Sequence, residues 1–445
     1  MSAPAVGAVW RDVVGQEAAV AQFHRAATGQ ASLAQAWLVT GPPGSGRSTA
    51  ARAFAAALQC EQGVGCGECT ACRTVLAGTH PDVTVVATDK LSIAKEEVRS
   101  LVMTAQRSPA TGRHRVIVVE DADRMSAGTF NVLLKSIEEP PPATVWMLCA
   151  PSAEDLAPTI RSRCRLVTLT VPSAEVVAGL LQRRDGIPED LAVRAARAAQ
   201  GHIGLALRYA TQEGTLAARE ESARSLLGLR GTGQAVLAAQ ALVDRATAEA
   251  KEHADLVATE EKERFLRSAG IEDGKVPPAL RGQLRQLEED AKRRQTRLVR
   301  DVLDRYLLDA HSVLRDVLTR QLGSGSDLVN VEVTPEIEHA AGGGSAHTTL
   351  GLLEAVQGAR SRIAGNVPPL LAIEALLSRV AVSLRGPAAG RRARGSGSAR
   401  RAGPGPAHSS AGAGSSVRSV SSEEAESSPL PGATASSAAA GSSAT

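Results

Sequence analysis

The first third of the chain alternates short apolar runs with longer segments of helical periodicity. The apolar runs cover residues 37–40, 82–86, 116–119, 145–149 and 166–169, and their length and Val-rich composition are typical of buried strands. Helical segments lie between them at 50–58, 93–107 and 130–139, the last ended by three prolines. A further helix precedes them and ends near Gly29, with Asp12 or Gly15 as its expected cap. This alternation predicts an α/β fold built on a parallel sheet.

The rest of the chain is helical in pattern. Residues 173–212 predict a small helical unit with a break at 201–204, and 215–385 predict helix throughout. Apolar residues at helical spacing in 303–322 and 352–384 predict a shared core. The charged stretch 244–300 favours long solvated helices with i,i+4 ion pairs over a binding face. Beyond residue 386 the Gly, Ala, Ser, Pro and Arg composition predicts a disordered tail. Its early arginines leave a weak nucleic-acid contact as the alternative.

Composition narrows the class of protein. Of 445 residues, 43% are hydrophobic but only 2% aromatic, so the cores must rely on Ala, Leu and Val. The net charge of +3 gives no reason to expect nucleic-acid binding by this chain alone. Neither a membrane-length apolar run nor a signal peptide is visible, which predicts a cytoplasmic protein without a membrane partner. In that reducing compartment, six cysteines are expected to be thiols or metal ligands.

The strongest chemical pattern is a glycine-rich loop between the first predicted strand and the next helix. It matches the phosphate-binding sequence G-x-x-x-x-G-K-[ST], except that Arg47 replaces the lysine. Ser48 stands where a hydroxyl would reach Mg²⁺. Backbone N–H groups and a helix N-terminus would cradle phosphate there, whereas an isolated sequence of this kind can also be an ordinary turn. Strand and helix on either side favour the phosphate loop.

Acidic residues follow the third predicted strand, at Glu120 and Asp121. Carboxylates at the carboxyl end of a buried strand are placed to hold a metal ion in an open α/β sheet. The alternative is capping of the next helix by Asp121 or Asp123. The preceding phosphate loop favours the metal role.

Four cysteines, Cys60, Cys66, Cys69 and Cys72, fall within thirteen residues. Their C-x5-C-x2-C-x2-C spacing, with glycines that permit tight turns, predicts one tetrahedral structural Zn²⁺ site with no open position. Buried or disulfide-paired cysteines are the alternative.

Several motifs together resemble one family. These motifs are residues 12–16, the phosphate loop, the cysteine insert, the acidic strand end, residues 131–140, Ser162–Cys164 and residues 366–377. Together they resemble the clamp-loader subunits of bacterial DNA polymerase III, most closely the delta prime subunits. The likeness covers about residues 8–385.

The resemblance implies a domain plan and a set of partners. It implies an AAA+ P-loop core over residues 1–170 with a zinc-binding insert at 60–72, a helical lid over 171–212 and an all-α collar for oligomerisation over 213–385. The tail would occupy 386–445. It also implies a complex with gamma/tau and delta subunits. Through that complex the chain would meet the sliding clamp and primed DNA, as part of a DNA-directed DNA polymerase holoenzyme.

The resemblance also assigns roles to residues. Arg163 matches the arginine finger that serves a neighbouring subunit's ATP. The nucleotide-binding set would be Val14, Gly41, Gly44, Gly46, Arg47, Ser48, Thr49, Glu120 and Asp121. Departures from the family's ATPases occur at Arg47, at the inverted Glu120–Asp121 pair, at Ala150–Pro151 and at Gly204, with Arg208 one turn further on. These departures predict that ATP and Mg²⁺ can bind only without turnover.

Three alternatives stay open from the sequence. Arg163 can be an ordinary surface arginine. The chain can be an ATP-hydrolysing motor subunit of the gamma/tau type, or an AAA+ ATPase unrelated to replication.

Overall fold

The structure is a computed structural model that describes residues 7–88, 92–268 and 277–384. All of these residues belong to one compact unit. The predicted tail over 386–445 lies outside the described residues. Among the described helices, none is both long and apolar enough to cross a lipid bilayer.

A five-stranded parallel sheet forms the core of the first part of the chain. The strands are β1 (Ala36–Thr40), β2 (Val83–Val86), β3 (Arg115–Val119), β4 (Thr144–Ala150) and β5 (Arg165–Thr168). They lie in the order β2-β3-β4-β1-β5, with Leu38 opposite Leu148 and Leu166. Every residue of β1, β3 and β4 is buried, which explains why these strands are continuous apolar runs.

Helices cover both faces of this sheet. They are α1 (Glu17–Ala27), α2 (Arg47–Gln59), α3 (Thr70–Leu76), α4 (Lys95–Ala105), α5 (Ala127–Glu138) and α6 (Pro158–Arg161). Apolar side chains of α1, α2 and α3 pack on one face and those of α4, α5 and α6 on the other. Few aromatic residues are present, but Phe23, Trp37 and Phe54 meet in the first layer with ring centroids 4.6–5.4 Å apart. The predicted α/β fold class is confirmed.

The second part of the chain begins with three short helices, α7 (Ala174–Asp185), α8 (Glu189–Ala198) and α9 (Ile203–Thr211). They share a small core of Val177, Leu181 and several alanines. The predicted break at 201–204 separates α8 from α9.

Longer helices complete the described chain. They are α10 (Thr215–Leu227), α11 (Thr232–Ser268), α12 (Arg281–Gln321), α13 (Thr334–Gly343), α14 (Ala346–Ala364) and α15 (Pro369–Ser383). Their apolar faces form one core, which confirms the shared core predicted for 303–322 and 352–384. The prediction of helix throughout 215–385 is wrong at residues 323–330, where glycine and serine residues end α12 and favour a loop over helix.

The charged stretch is more tightly packed than its composition predicts. The i,i+4 pair Arg297–Asp301 is present at 3.3 Å. Another arginine of α12, Arg294, instead reaches Glu261 of α11 at 2.8 Å, and Arg297 donates to the carbonyl of Thr88 after β2. The two helices thus contact each other, and α12 also contacts the sheet domain, so they are not simply solvated.

The predicted cap of α1 is also wrong. Its N-cap is Gln16, not Asp12 or Gly15, and no side chain caps it. The Gln16 amide is used elsewhere: it donates to Thr170 at 2.7 Å and accepts from the Thr170 N–H at 3.0 Å.

Candidate functional site

The phosphate loop has the backbone shape that the sequence predicts. It leaves β1 at Thr40 and enters α2 at Arg47. Gly44 and Gly46 have φ values of 81° and 90°, in the left-handed region that a side chain would strain. Gln16 fixes the loop from outside, because its amide also donates to the Ser45 carbonyl at 3.3 Å. Ser48 and Thr49 are half-buried in the first turn of α2, where an anion would meet the helix N-terminus.

Arg47 does not point away from the loop. Its Nη1 donates to the carbonyl of Gly41, six residues back. Its charge therefore faces the chain's own backbone. The Ser45 hydroxyl is buried and has no hydrogen-bond partner among the described residues.

A histidine covers the loop, and sequence reasoning missed its role. The Ile203 N–H donates to the Gly44 carbonyl at 3.2 Å, which brings His202 over the loop. A Cβ placed on Gly44 would lie only 2.5 Å from the Nδ1 and Cδ2 atoms of His202. Burial, together with the charge of Arg47, lowers the pKa of His202, so its ring is neutral at pH 7. The sequence signal at this place is the break at 201–204, which predicts a helix boundary and contains Gly204 of the lid motif but does not indicate a contact of His202 with the loop.

Both acidic residues after β3 are paired with arginines. Glu120 Oε1 lies 2.9 Å from Nη2 of Arg52 on α2, and Asp121 lies 3.7 Å from Arg124. Asp121 precedes the short 3-10 helix Ala122–Arg124, but its side chain makes no capping bond. Glu120 thus lies beside the helix that follows the phosphate loop, and each of the two carboxylates has an arginine of this chain as a partner.

The end of β4 offers no polar side chain to the loop. The Pro151 carbonyl accepts from the Gly41 N–H at 3.2 Å, and Ala150 is buried. Burial raises the pKa of Cys149 to about 12, with Glu120 adding to the effect, so its thiol stays protonated. The described residues 149–151 therefore present no charged side chain of their own at this strand end.

Arg208, one turn beyond Gly204, is held away from the loop. It donates to Glu249 of α11, whose carboxylate also accepts from Arg305 at 2.7 and 2.9 Å. Burial raises the pKa of Glu249, but the two arginines outweigh it and leave that pKa below its usual range. The arginine nearest in sequence to the expected position is therefore part of an ion-pair network with the long helices.

The four cysteines of residues 60–72, here named the cysteine knuckle, converge. Their sulfur atoms all lie within 4.8 Å of one another. Cys60 and Cys66 have their sulfurs 3.7 Å apart, close to the edge of about 3.8 Å that a tetrahedron with 2.3 Å Zn–S bonds requires. Cys60 ends α2, and Cys69 caps α3 by accepting from the Cys72 N–H.

Electrostatics in the knuckle suit a cation. Burial raises the pKa of Cys60, but N–H groups of Cys66, Gln62 and Val64 outweigh it and lower that pKa to about 6. Burial and the neighbouring sulfurs raise the pKa of Cys72. A divalent ion would allow all four thiols to ionise together. The donor set fits zinc, and all four predicted ligands are brought together.

Arg163 lies apart from the phosphate loop, two residues beyond α6. Its side chain is 40% exposed and pairs with Glu138 of α5 at 2.7 Å. It also donates to the Thr159 carbonyl at 2.8 Å. Sequence reasoning did not identify Glu138 as the partner, although both residues lie in the segments that carry the family resemblance.

Comparison with known proteins finds similarity to subunits of DNA polymerase III. A family model described as DNA polymerase III, delta subunit matches residues 15–173. The delta' subunit of Pseudomonas aeruginosa is 38% identical over 151 residues, covering 33% of this chain and 46% of that protein. The delta' subunit of Escherichia coli is 33% identical, and the match covers 39% of this chain and 53% of that protein. The tau/gamma subunit of Haemophilus influenzae is 32% identical, and the match covers 46% of this chain and 31% of that protein.

The chain thus spans about half, or less, of the length of these relatives. Among solved structures, a gamma subunit-related protein of Thermotoga maritima is 17% identical, with a TM-score of 0.39, covering 82% of this chain and 99% of that one. Residues 15–173 are thus similar to the clamp-loader subunits of DNA polymerase III, among them the delta' subunits.

Proposed function

We propose that the chain is a delta prime-type subunit that helps to load the sliding clamp onto primed DNA but does not itself hydrolyse ATP. The observation that carries this proposal is the state of the phosphate loop. Arg47 is turned onto Gly41, and His202 lies against Gly44. The chain's own side chains thus lie where a triphosphate would need free donors.

The remaining groups support the same conclusion. Phosphoryl transfer depends on groups placed within a fraction of an ångström and on charge that is available to the transition state. Glu120 is paired with Arg52 and Arg208 with Glu249. Any one of these pairs could rearrange, but turnover would require several rearrangements at once. ATP with Mg²⁺ can bind in this proposal, without turnover, through Val14, the loop glycines, Ser48 and Thr49.

Arg163 is the group through which the chain would act on a neighbour. A partly exposed arginine held at the edge of the sheet domain suits this role, because its charge does not titrate and its fork matches phosphate oxygens. The partners would be gamma/tau and delta subunits in the cytoplasm, with clamp and DNA reached through them. The core, lid and collar would be residues 1–170, 171–212 and 213–385.

A structural Zn²⁺ ion in the cysteine knuckle belongs to the proposal. Cys60, Cys66, Cys69 and Cys72 would hold it, and the ion would supply cross-linking rather than catalysis, because four thiolates leave no open coordination position.

The second candidate is an ATP-hydrolysing motor of the gamma/tau type. It is favoured by one observation: the chain is about as similar to the tau/gamma subunit of Haemophilus influenzae, at 32%, as to the delta' subunit of Escherichia coli, at 33%. The sequence comparison alone does not separate the two.

The ATPase activity of the purified chain separates these candidates. We expect no magnesium-dependent phosphate release above that of a heat-inactivated control, with or without primed DNA. Arg47→Lys should not create turnover, because His202, Glu120 and Arg208 remain engaged. Robust turnover that Arg47→Ala abolishes would identify the motor type instead.

A further inference from the structure

We propose that the cysteine knuckle positions the leading segment, residues 8–13, which forms one wall of a cleft beside α2, the helix that follows the phosphate loop. Metal binding in the knuckle orders this wall. The inference rests on the proposed zinc site, and not on whether the chain hydrolyses ATP.

The leading segment is attached directly to the knuckle. The Val9 N–H donates to the Gly65 carbonyl at 3.2 Å. Gly65 has a φ of 73°, and a Cβ there would lie 2.6 Å from Cγ2 of Val9 and 3.2 Å from Cβ of Ala57. Val9 and Trp10 are almost fully buried, at 5% and 4% exposure. Only a glycine at position 65 allows this close approach.

Besides its cysteines, the knuckle loop is held by hydrogen bonds, including those from Arg113 to the Cys60 carbonyl and from Val9 to the Gly65 carbonyl. Its three glycines, Gly63, Gly65 and Gly67, have φ between 73° and 80°. Glycine adopts this left-handed conformation readily, but it also adopts many others in the unfolded chain, so these residues do not fix the loop by themselves. Val64, the only large apolar residue between Cys60 and Cys72, is exposed. Without a core of its own, such a loop depends on its cross-link for order.

The other side of the leading segment forms a cleft wall. Ala8, Val9, Arg11 and Asp12 line a cleft of 660 Å³ together with Thr49 and Arg52 of α2 and Arg183 and Arg184 of α7. Arg183 donates to the Arg11 carbonyl at 3.4 Å. The leading segment thus connects the knuckle to both the phosphate-loop helix and α7.

The surface of the knuckle does not suit a nucleic-acid finger. Its charged residues between Cys60 and Cys72 are Glu61 and Glu68, both exposed, and the sequence there contains no lysine or arginine. Acidic side chains repel phosphates. The knuckle's close contacts are instead made inward, to the leading segment.

Hydrogen–deuterium exchange of the full chain tests the inference. Removal of the metal by a chelator should raise exchange of the Val9, Trp10, Arg11 and Val13 amides at least tenfold, since these amides donate to the carbonyls of Gly65, Gly7, Ala8 and Trp10. Exchange in β3 and β4, whose residues are all buried in the centre of the sheet, should stay unchanged. A metal-free protein whose leading segment stays protected would overturn the inference. A folded protein purified without any metal would instead overturn the zinc proposal.

A pair of glycine variants tests the contact itself. Gly65→Ala should expose residues 8–13 to exchange, because its Cβ would collide with Val9. Gly63→Ala is the matched control: it has the same φ of 73°, but its nearest neighbour would be Arg113 Nη2 at 3.9 Å. Equal exchange of residues 8–13 in the two variants, with metal retained in both, would contradict the inference. If Gly65→Ala loses its metal, it must show the exposure of the chelated protein; protection would again contradict it.

Discussion

Asp82 shows how a single buried charge organises the edge of the sheet. Its carboxylate is fully buried and accepts from the N–H groups of Ala110, Thr111 and Gly112 at 2.6–2.7 Å. Arg115 at the start of β3 pairs with it at 3.1 Å. Burial raises the pKa of Asp82, but these N–H donors outweigh it and lower the pKa to about 2. The ionised form therefore stabilises the fold.

We expect Asp82→Asn to reduce the free energy of unfolding at pH 7 by about 3 kcal/mol, because Arg115 would be left buried without its partner. A folded-state pKa below the unfolded value of 3.8 means that this stabilisation is present above pH 4 and is lost as the pH falls toward 2. The difference between variant and native protein should therefore shrink over that range. Urea denaturation at several pH values measures it.

The control for this prediction is Glu96→Gln. Glu96 is 77% exposed and pairs with Arg99 on the surface of α4, at 3.3 Å. Its loss should change the stability by no more than about 0.5 kcal/mol. An Asp82→Asn protein as stable as this control would contradict the role of the buried carboxylate.

At the scale of elements, the cysteine knuckle links α2 to α3. We expect about one zinc ion per purified chain, because four convergent sulfurs match a closed tetrahedral site. Metal analysis measures this. Cys69→Ser should lower the zinc content, whereas Cys164→Ser should leave it unchanged. Burial raises the pKa of Cys164 to about 12, and it lies outside the cluster. Zinc loss in both variants, or in neither, would contradict the assignment.

The helix α9 is tied to α11 and α12 through Glu249. Loss of its carboxylate in Glu249→Ala removes charge-assisted bonds to Arg208 and Arg305, which should cost on the order of 1.5 kcal/mol at this half-buried site. Amide exchange in α9 should then become about tenfold faster. Glu252→Ala, at an exposed position on the same helix, is the control and should leave α9 unchanged. Equal exchange in the two variants would show that the network does not hold α9.

The strands and most helices could be predicted because buried parallel strands and amphipathic helices leave periodic patterns in the sequence. The convergence of the four knuckle cysteines could be predicted because they fall within thirteen residues, with glycines between them that permit tight turns. Several short elements were missed, among them α3 and the 3-10 helix Ala8–Trp10. Both are short, and Ala8–Trp10 is stabilised by tertiary contact with Gly65 rather than by its own periodicity.

The side-chain partners at the site could not be predicted in the same way. The residue that Arg208 contacts, Glu249, is 41 residues away, and the residue that covers Gly44, His202, is 158 residues away. Such pairs depend on how separate helices pack, which one sequence does not encode in any local pattern. The sequence could identify which family positions had changed, but not where the replaced side chains point.

At the scale of the whole molecule, the helical parts and the sheet domain are connected by buried polar contacts. Asp309 of α12 accepts from Arg219 at 2.8 Å and lies 3.5 Å from the hydroxyl of Tyr209 on α9. Arg297 of α12 donates to Thr88 beside the sheet. One long helix thus contacts α9, α10 and the sheet domain. Such connections would hold the sheet domain against the long helix, in keeping with the proposed role in which the chain presents Arg163 to a neighbouring subunit.

The most direct test of that role is ATP hydrolysis by the reconstituted clamp loader containing Arg163→Ala. The variant should fold and assemble, since Arg163 is 40% exposed. Its DNA-stimulated ATPase rate should fall at least tenfold. An arginine finger raises kcat at one site by a factor of about 10³–10⁵, but several sites contribute to the total rate of the complex. Arg163→Lys should rescue poorly, because a point charge lacks the two-pronged contact.

Arg161→Ala provides the matched control for this measurement. Arg161 lies in α6, has the same 40% exposure and pairs with Glu154 at 3.6 Å. The account predicts normal ATPase and clamp loading with Arg161→Ala and a sharp loss of both with Arg163→Ala. Normal rates with Arg163→Ala would mean that Arg163 is only a surface residue, and would contradict the claim that this chain serves its neighbour's ATP.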